Sequence, residues 1–402
     1  MKGAQGAIGL LSTILVANSL WASSENFDLK EHTEAQIRAG YIMQNNKGGL
    51  NEEDSKAFAL GGHLGIKSER IKGFLLGAEF YTVRSLGLNN SDPQKINPDF
   101  FDADKSGFTV LSKAYIDYTY KNTKIKIGRQ LIDTPHADSD DIRMMPNYFN
   151  AYMLINKDIP NVTLTLGKID KMAGWENGTN PSKFTKISDI LGIEEDTEGI
   201  YLASAIYEKE NFNFQIWYYD LDKIANVFYL ESGYKIALNP IDLSVSLQYD
   251  KAQDRKEALL GKVDSSTWGA ALQIDYKNIS LMGAYNKDSG DTGPFQSDTF
   301  GGGAFFTSLE DQTIDGMGEK GEAWVLGAMS SMDNFVKGLS LGAIYGEFQA
   351  REKTNYNTSE LDIIAEYSYK NISLSGVYAK IDDKTVLNED YDIFRIIVNY
   401  DF

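Results

Sequence analysis

The run WGAALQIDYKNISL, from Trp268 to Leu281, holds two signals in one short stretch. Trp268, Ala270, Leu272, Ile274 and Tyr276 fall on one face, while Gly269, Ala271, Gln273 and Asp275 fall on the other. A period of two with one apolar face is the signature of a β-strand. The alternation breaks at Lys277 and Asn278 and resumes with Ile279. Two residues between alternating runs predict a tight hairpin, with the Asn supplying the left-handed backbone. The phrase YKNISL recurs at Tyr369 to Leu374, and a variant, YKNTKI, runs from Tyr120 to Ile125.

The same alternation appears in LSVSLQYD (Leu243 to Asp250) and in the terminal FRIIVNYDF (Phe394 to Phe402). Followed along the chain, it predicts about eighteen strands of roughly 8 to 12 residues. Those centred near Tyr152, Phe228 and Leu326 are weaker, because apolar residues occupy both faces. The connections are sorted. Those after odd-numbered strands are long, at 45–56, 85–108, 131–148, 168–198, 250–266 and 287–322, while those after even-numbered strands shrink to links such as Lys-Asn. The three YKN turns follow the fourth, twelfth and sixteenth strands, so they share one side. A soluble sandwich or propeller has no reason to sort its connections by parity. A transmembrane antiparallel up-and-down β-barrel does, with short periplasmic turns and long outer loops.

The 402-residue chain has no cysteine, which excludes disulfides, thiolate metal sites and cysteine nucleophiles. Its net charge of −18 argues against nucleic acid as a partner. Residues 1–24 read as a secretory signal peptide: Lys2, an apolar core from Ala7 to Val16, and small residues Ala22 to Ser24 near the expected cleavage point. Residues 25–402 then form a single barrel. Beyond residue 25 no apolar run is long enough for a membrane helix. Ten-residue strands with aliphatic centres, aromatic ends and a polar opposite face suit a bilayer outside and water inside.

The segment IKIGRQLIDTPHADSDDIRMMPNYFNAYML (Ile125 to Leu154) resembles the OprD-type outer-membrane porins. Gly128, Arg129 and Gln130 match the family's step into a loop, and Arg143, Met144, Met145, Pro146 and Phe149 match its step back. The terminal phenylalanine and the strand count agree. Asn150 and Ala151 stand where the family often has glycine, and the first strand, AQIRAGYIM, keeps only the Arg38 and Tyr41 spacing. The resemblance implies a passive porin of the Gram-negative outer membrane for small hydrophilic solutes. It also implies a third outer loop (131–148) folded inward, a basic track favouring carboxylates, and a homotrimer among lipids.

Parity places Arg38 and Arg395 inside, on either side of the seam where the last strand meets the first, and adds inward Lys113, Lys124 and Lys126. These five form either a basic wall or a set of ion pairs with lumen carboxylates such as Glu79 and Asp117. His63, Tyr81 and Tyr115 fall on the lumen face as well. The third loop brings Asp133, His136, Asp138, Asp140, Asp141 and Arg143 to the expected constriction.

The outer loops are acidic. Asp288, Asp291, Asp298, Glu310, Asp311, Asp315, Glu319 and Glu322 face only Lys287 and Lys320 between 287 and 322, which predicts a negative mouth. Wall and mouth favour opposite ions; a zwitterion suits both. Acidic stretches such as HADSDD admit calcium but lack a full ligand pattern, so no cofactor or metal is assigned. The three histidines stand in no catalytic motif, which argues against an enzyme. The alternatives are an adhesion or binding barrel acting through its loops and, less favoured, an outer-membrane hydrolase.

Overall fold

The structure is a computed structural model describing residues 32–48, 53–178, 180–295, 300–301 and 303–402; the expected signal peptide lies outside the described residues. The strands are β1 (Thr33–Asn46), β2 (Ser55–Lys67), β3 (Phe74–Arg84), β4 (Phe108–Tyr120), β5 (Thr123–Gln130), β6 (Tyr148–Asn156), β7 (Val162–Ala173), β8 (Thr185–Lys186), β9 (Ile200–Lys209) and β10 (Phe212–Leu221). They continue as β11 (Ala225–Ala237), β12 (Ile241–Asp254), β13 (Asp264–Tyr276), β14 (Ile279–Asp288), β15 (Gly321–Ser331), β16 (Leu339–Ala350), β17 (Asn357–Tyr369), β18 (Ile372–Asp383) and β19 (Tyr391–Asp401).

Sequential neighbours pair antiparallel, and β1 pairs with both β2 and β19, so the sheet closes and no edge meets lipid. Eighteen strands form the wall. The two-residue β8 is extra, laid against Lys171 and Met172 of β7, which itself pairs onward with β9. Leu64, Leu76, Ile116, Leu166, Leu247, Leu272, Leu281, Leu326 and Ile363 stand exposed on the outer face. That is the arrangement a hydrocarbon solvent rewards. The weaker segments near Tyr152, Phe228 and Leu326 are strands too, β6, β11 and β15.

Parity of loop length is strong but not complete: the fifth outer connection is only 222–224, and the inner turn 332–338 is longer than its companions. In the YKN turns the left-handed residue is Lys, not Asn: φ is 51° at Lys121, 55° at Lys277 and 54° at Lys370. Asn has another task. The carbonyls of Asn122, Asn278 and Asn371 accept the N–H of Lys157, Ser331 and Asp401, linking each turn to the next connection. Each Lys ammonium lies over the preceding Tyr ring, at 5.4, 5.0 and 5.3 Å for Tyr120, Tyr276 and Tyr369. That contact suits the aromatic belt.

Candidate pore constriction

The third outer loop starts where β5 ends. Gln130 donates its side-chain amide to the carbonyls of Lys126, Gly128 and Ala151, at 3.3, 3.2 and 3.0 Å. Gly128 has φ +116°, and a Cβ there would come within 2.2 Å of the Ala114 carbonyl oxygen. Only glycine permits that approach. The loop proper is 131–147, since Tyr148 already belongs to β6.

At its tip Thr134 donates both its N–H and its hydroxyl to the Ala137 carbonyl. This turn projects His136 into a cage of Tyr219, Tyr229 and Phe305 ring edges. The ring Nε2 lies 2.7 Å from an oxygen of Asp250 on β12, and both residues are buried. The loop therefore reaches the far wall and is tied there.

Its return limb is tied to the seam. Arg38 on β1 holds Asp141 through both terminal nitrogens, donates Nη1 to the Arg143 carbonyl at 2.9 Å, and donates Nε to Asn399 at 2.7 Å. Arg395 on β19 donates Nη1 to the Ile142 carbonyl and grips Glu310 at 3.0 and 2.6 Å. Arg143 reaches Asp99 at 3.1 Å and Glu310 at 3.2 Å, with its guanidinium 4.6 Å from the Trp175 ring centre. Outer loops 85–107, 131–147, 174–199 and 289–320 thus meet at one charge cluster.

This corrects two expectations. Arg38 and Arg395 point inward but are 2 % and 3 % exposed, so they hold loops rather than line water. A guanidinium offers planar sets of donors, and carbonyls and carboxylates of the inserted loops use them. The mouth is also less of an open acidic rim than its composition suggested. Glu310 and Asp315 are buried, Asp288 accepts from Ser266, Thr267 and Gly290, and Asp291 and Glu322 pair with Lys262 and Lys287. The cause is the apolar half of that loop: Phe300, Phe305, Phe306, Leu309, Ile314 and Met317 pack inside the barrel and draw it in. Asp298 lies outside the described residues.

The lysines of β4 and β5 behave differently. A bulge in β4 turns both Ser112 and Lys113 inward onto Glu79, at 2.9 and 2.6 Å. Glu79 also accepts the Tyr148 hydroxyl at 2.8 Å, and His63 lies 3.8 Å from it beside the Tyr81 ring. Glu79 and Tyr81 are buried and do not face open lumen. Lys124 pairs with Asp117 at 3.0 Å, and Arg70, from an inner turn that no strand pattern marked, adds a second cation at 2.7 Å. Lys126 has no ion pair among the described residues; its ammonium sits 4.0 Å from the Tyr115 ring centre.

Within the loop only Asp133 and Asp141 are exposed among the expected acids. Burial pushes the Asp138 carboxyl up to about 8, with Asp133 adding repulsion. Burial likewise pushes Asp140 up to about 7, against the pull of Arg143 and Arg395. Asp138 spends one oxygen on the Asp140 N–H, at 2.8 Å, and Asp133 one on the Ser139 hydroxyl.

The barrel with loops inserted from one end has close counterparts. Solved structures similar to it include OccK9 (OpdG) of Pseudomonas aeruginosa, at 20 % identity and TM-score 0.78, with 92 % of this chain and 98 % of that chain covered. OccAB3 of Acinetobacter baumannii aligns with TM-score 0.80 at 14 % identity over the same shares. OpdK of Pseudomonas aeruginosa with vanillate aligns with TM-score 0.75 at 17 % identity, again over 92 % and 98 %. No curated protein sequence matches the chain. The family described as outer membrane porin, OprD family, matches residues 31–402. The chain therefore belongs to the OprD family: it is an outer-membrane porin, a channel for small solutes.

Proposed function

We propose that this porin favours small hydrophilic solutes bearing a carboxylate, conducted along the β4–β5 side of the lumen. The observation that carries the reading is Lys126. A lumen ammonium with no carboxylate partner among the described residues is open to an anion, whereas Lys113 and Lys124 are largely neutralised by Glu79 and Asp117. Tyr115 beneath it offers a ring face to the body of a passing solute. Vanillate, in the OpdK structure similar to this chain, is such a carboxylate.

The reading holds the protein to passive transport without catalysis. The test is uptake into liposomes containing the purified protein, comparing gluconate with glucose at equal concentration. Faster entry of the carboxylate, lost in Lys126→Ala, supports the reading; equal rates for both solutes in the wild type would overturn it.

A further inference from the structure

Glu360 and Asp362 lie two residues apart on β17, so their side chains project to the same lumen face. Both are 0 % exposed. Their strand neighbours carry no charge: Gly346 and Ile344 on β16, Ile381 and Ala379 on β18. Neither forms an ion pair among the described residues. What they do hold is the seventh outer loop. Asp362 accepts the Glu310 N–H at 3.2 Å, and Glu360 accepts the N–H groups of Asp311 and Gln312 at 3.0 and 2.7 Å.

Two residues apart on one face of one strand, the two buried carboxyls are close neighbours. Two buried carboxyls side by side with no cation among the described residues do not both ionise, so one of them is an acid while the loop is docked. The second oxygen of Asp362 otherwise has no partner, although it is buried. A shared proton there satisfies it. Removing that proton leaves two adjacent buried anions with no cation, an arrangement protein interiors do not sustain.

The groups facing the pair sharpen the consequence. Glu310 and Asp311 approach from the loop itself, and Tyr391 donates its hydroxyl to Asp311 at 2.5 Å. Tyr356 donates to Gln312. The nearest cations, Arg143 and Arg395, are committed to Glu310. A dianion under the loop therefore pushes against more negative charge.

We propose that Glu360 and Asp362 form a single-proton latch that keeps the seventh outer loop docked in the pore and releases it as pH rises. The sign follows from the chemistry. The docked state binds one proton more than the released state, so docking is retained on the acid side and lost on the alkaline side. Above the titration point the docked fraction falls by about tenfold per pH unit, the slope for one proton.

The native chain has no cysteine, so one introduced thiol reports one place. Ser308→Cys puts it in the docked loop, where Ser308 is buried, and Ser91→Cys puts it on an exposed loop as a control for thiol ionisation. Maleimide labelling of the reconstituted full chain is followed from about pH 6 to about pH 10, beside single-channel conductance. The expected result is that Ser308→Cys labelling, divided by the control, climbs as conductance climbs. Glu360→Gln, whose amide donates to Asp362 at every pH, should flatten both curves, and Asp362→Asn should do the same. A flat wild-type curve, or equal slopes in wild type and a folded variant, overturns the latch. The protonated-carboxyl infrared band that the wild type shows and Glu360→Gln lacks must vanish with the same midpoint; a different midpoint overturns it too.

Discussion

Arg395 and Glu310, 85 residues apart in sequence, meet through two hydrogen bonds of 3.0 and 2.6 Å, each residue almost wholly buried. Glu310 is also reached by Arg143 of the third loop. One carboxylate therefore couples a wall strand, the third loop and the seventh loop.

Glu310→Gln should loosen both loops together, because it takes the carboxylate from buried Arg395 and leaves buried Arg143 with Asp99 alone. Breaking a buried pair on one side costs about 3–5 kcal/mol. The barrel itself should survive. Single-channel recordings should show larger, noisier steps with unchanged heat-modifiable migration of the folded barrel; an unchanged conductance would count against the coupling.

His136→Ala should free only the tip of the third loop. The variant loses a bond to buried Asp250 and the packing of a ring caged by three aromatics. A cost of about 2–4 kcal/mol to loop docking follows from cavity and unsatisfied-acceptor effects together. Proteolysis within 131–147 should accelerate relative to wild type.

Lys126→Glu should shift selectivity toward cations. At contact distance in water one unit charge is worth about 1 kcal/mol, so changing sign moves the cation-to-anion permeability ratio by roughly fivefold or more. Reversal potentials under a salt gradient measure it. The same reversal at Arg38 or Arg395 should instead disrupt loop docking, since both are buried under loop backbone.

The third loop should gain negative charge between about pH 6 and about pH 9, because burial pushes Asp140 up to about 7 and Asp138 up to about 8. Both folded values lie above the ordinary carboxylate value, so their contribution to docking is complete at acid pH and is lost as pH rises through them. Cation selectivity should increase across that window and should do so less in Asp138→Asn.

Lys277→Gly should stabilise its turn slightly. A left-handed φ of 55° costs a lysine backbone energy that glycine does not incur, so a gain of up to about 1 kcal/mol is expected, less the contact with Tyr276. The midpoint of unfolding in urea reads it.

The sequence by itself determined the barrel. Alternation such as Trp268 to Tyr276 is a local property of the strand, and every strand had to present one face to lipid. The side to which Arg38, Lys126 and Arg395 point follows from the same parity. Only the tertiary structure decided which of those inward charges meet water. Arg38 and Lys126 read alike along the chain, yet one is covered by the third loop and the other is left without a carboxylate. The bulge at Ser112 and Lys113, the docking of Glu310 and the cage around His136 depend on partners tens to hundreds of residues away. Strand periodicity records only what lies on either side of one strand. Where a loop comes to rest depends on apolar residues such as Phe305 and Ile314 finding a pocket built by several strands at once, and no single stretch encodes that pocket.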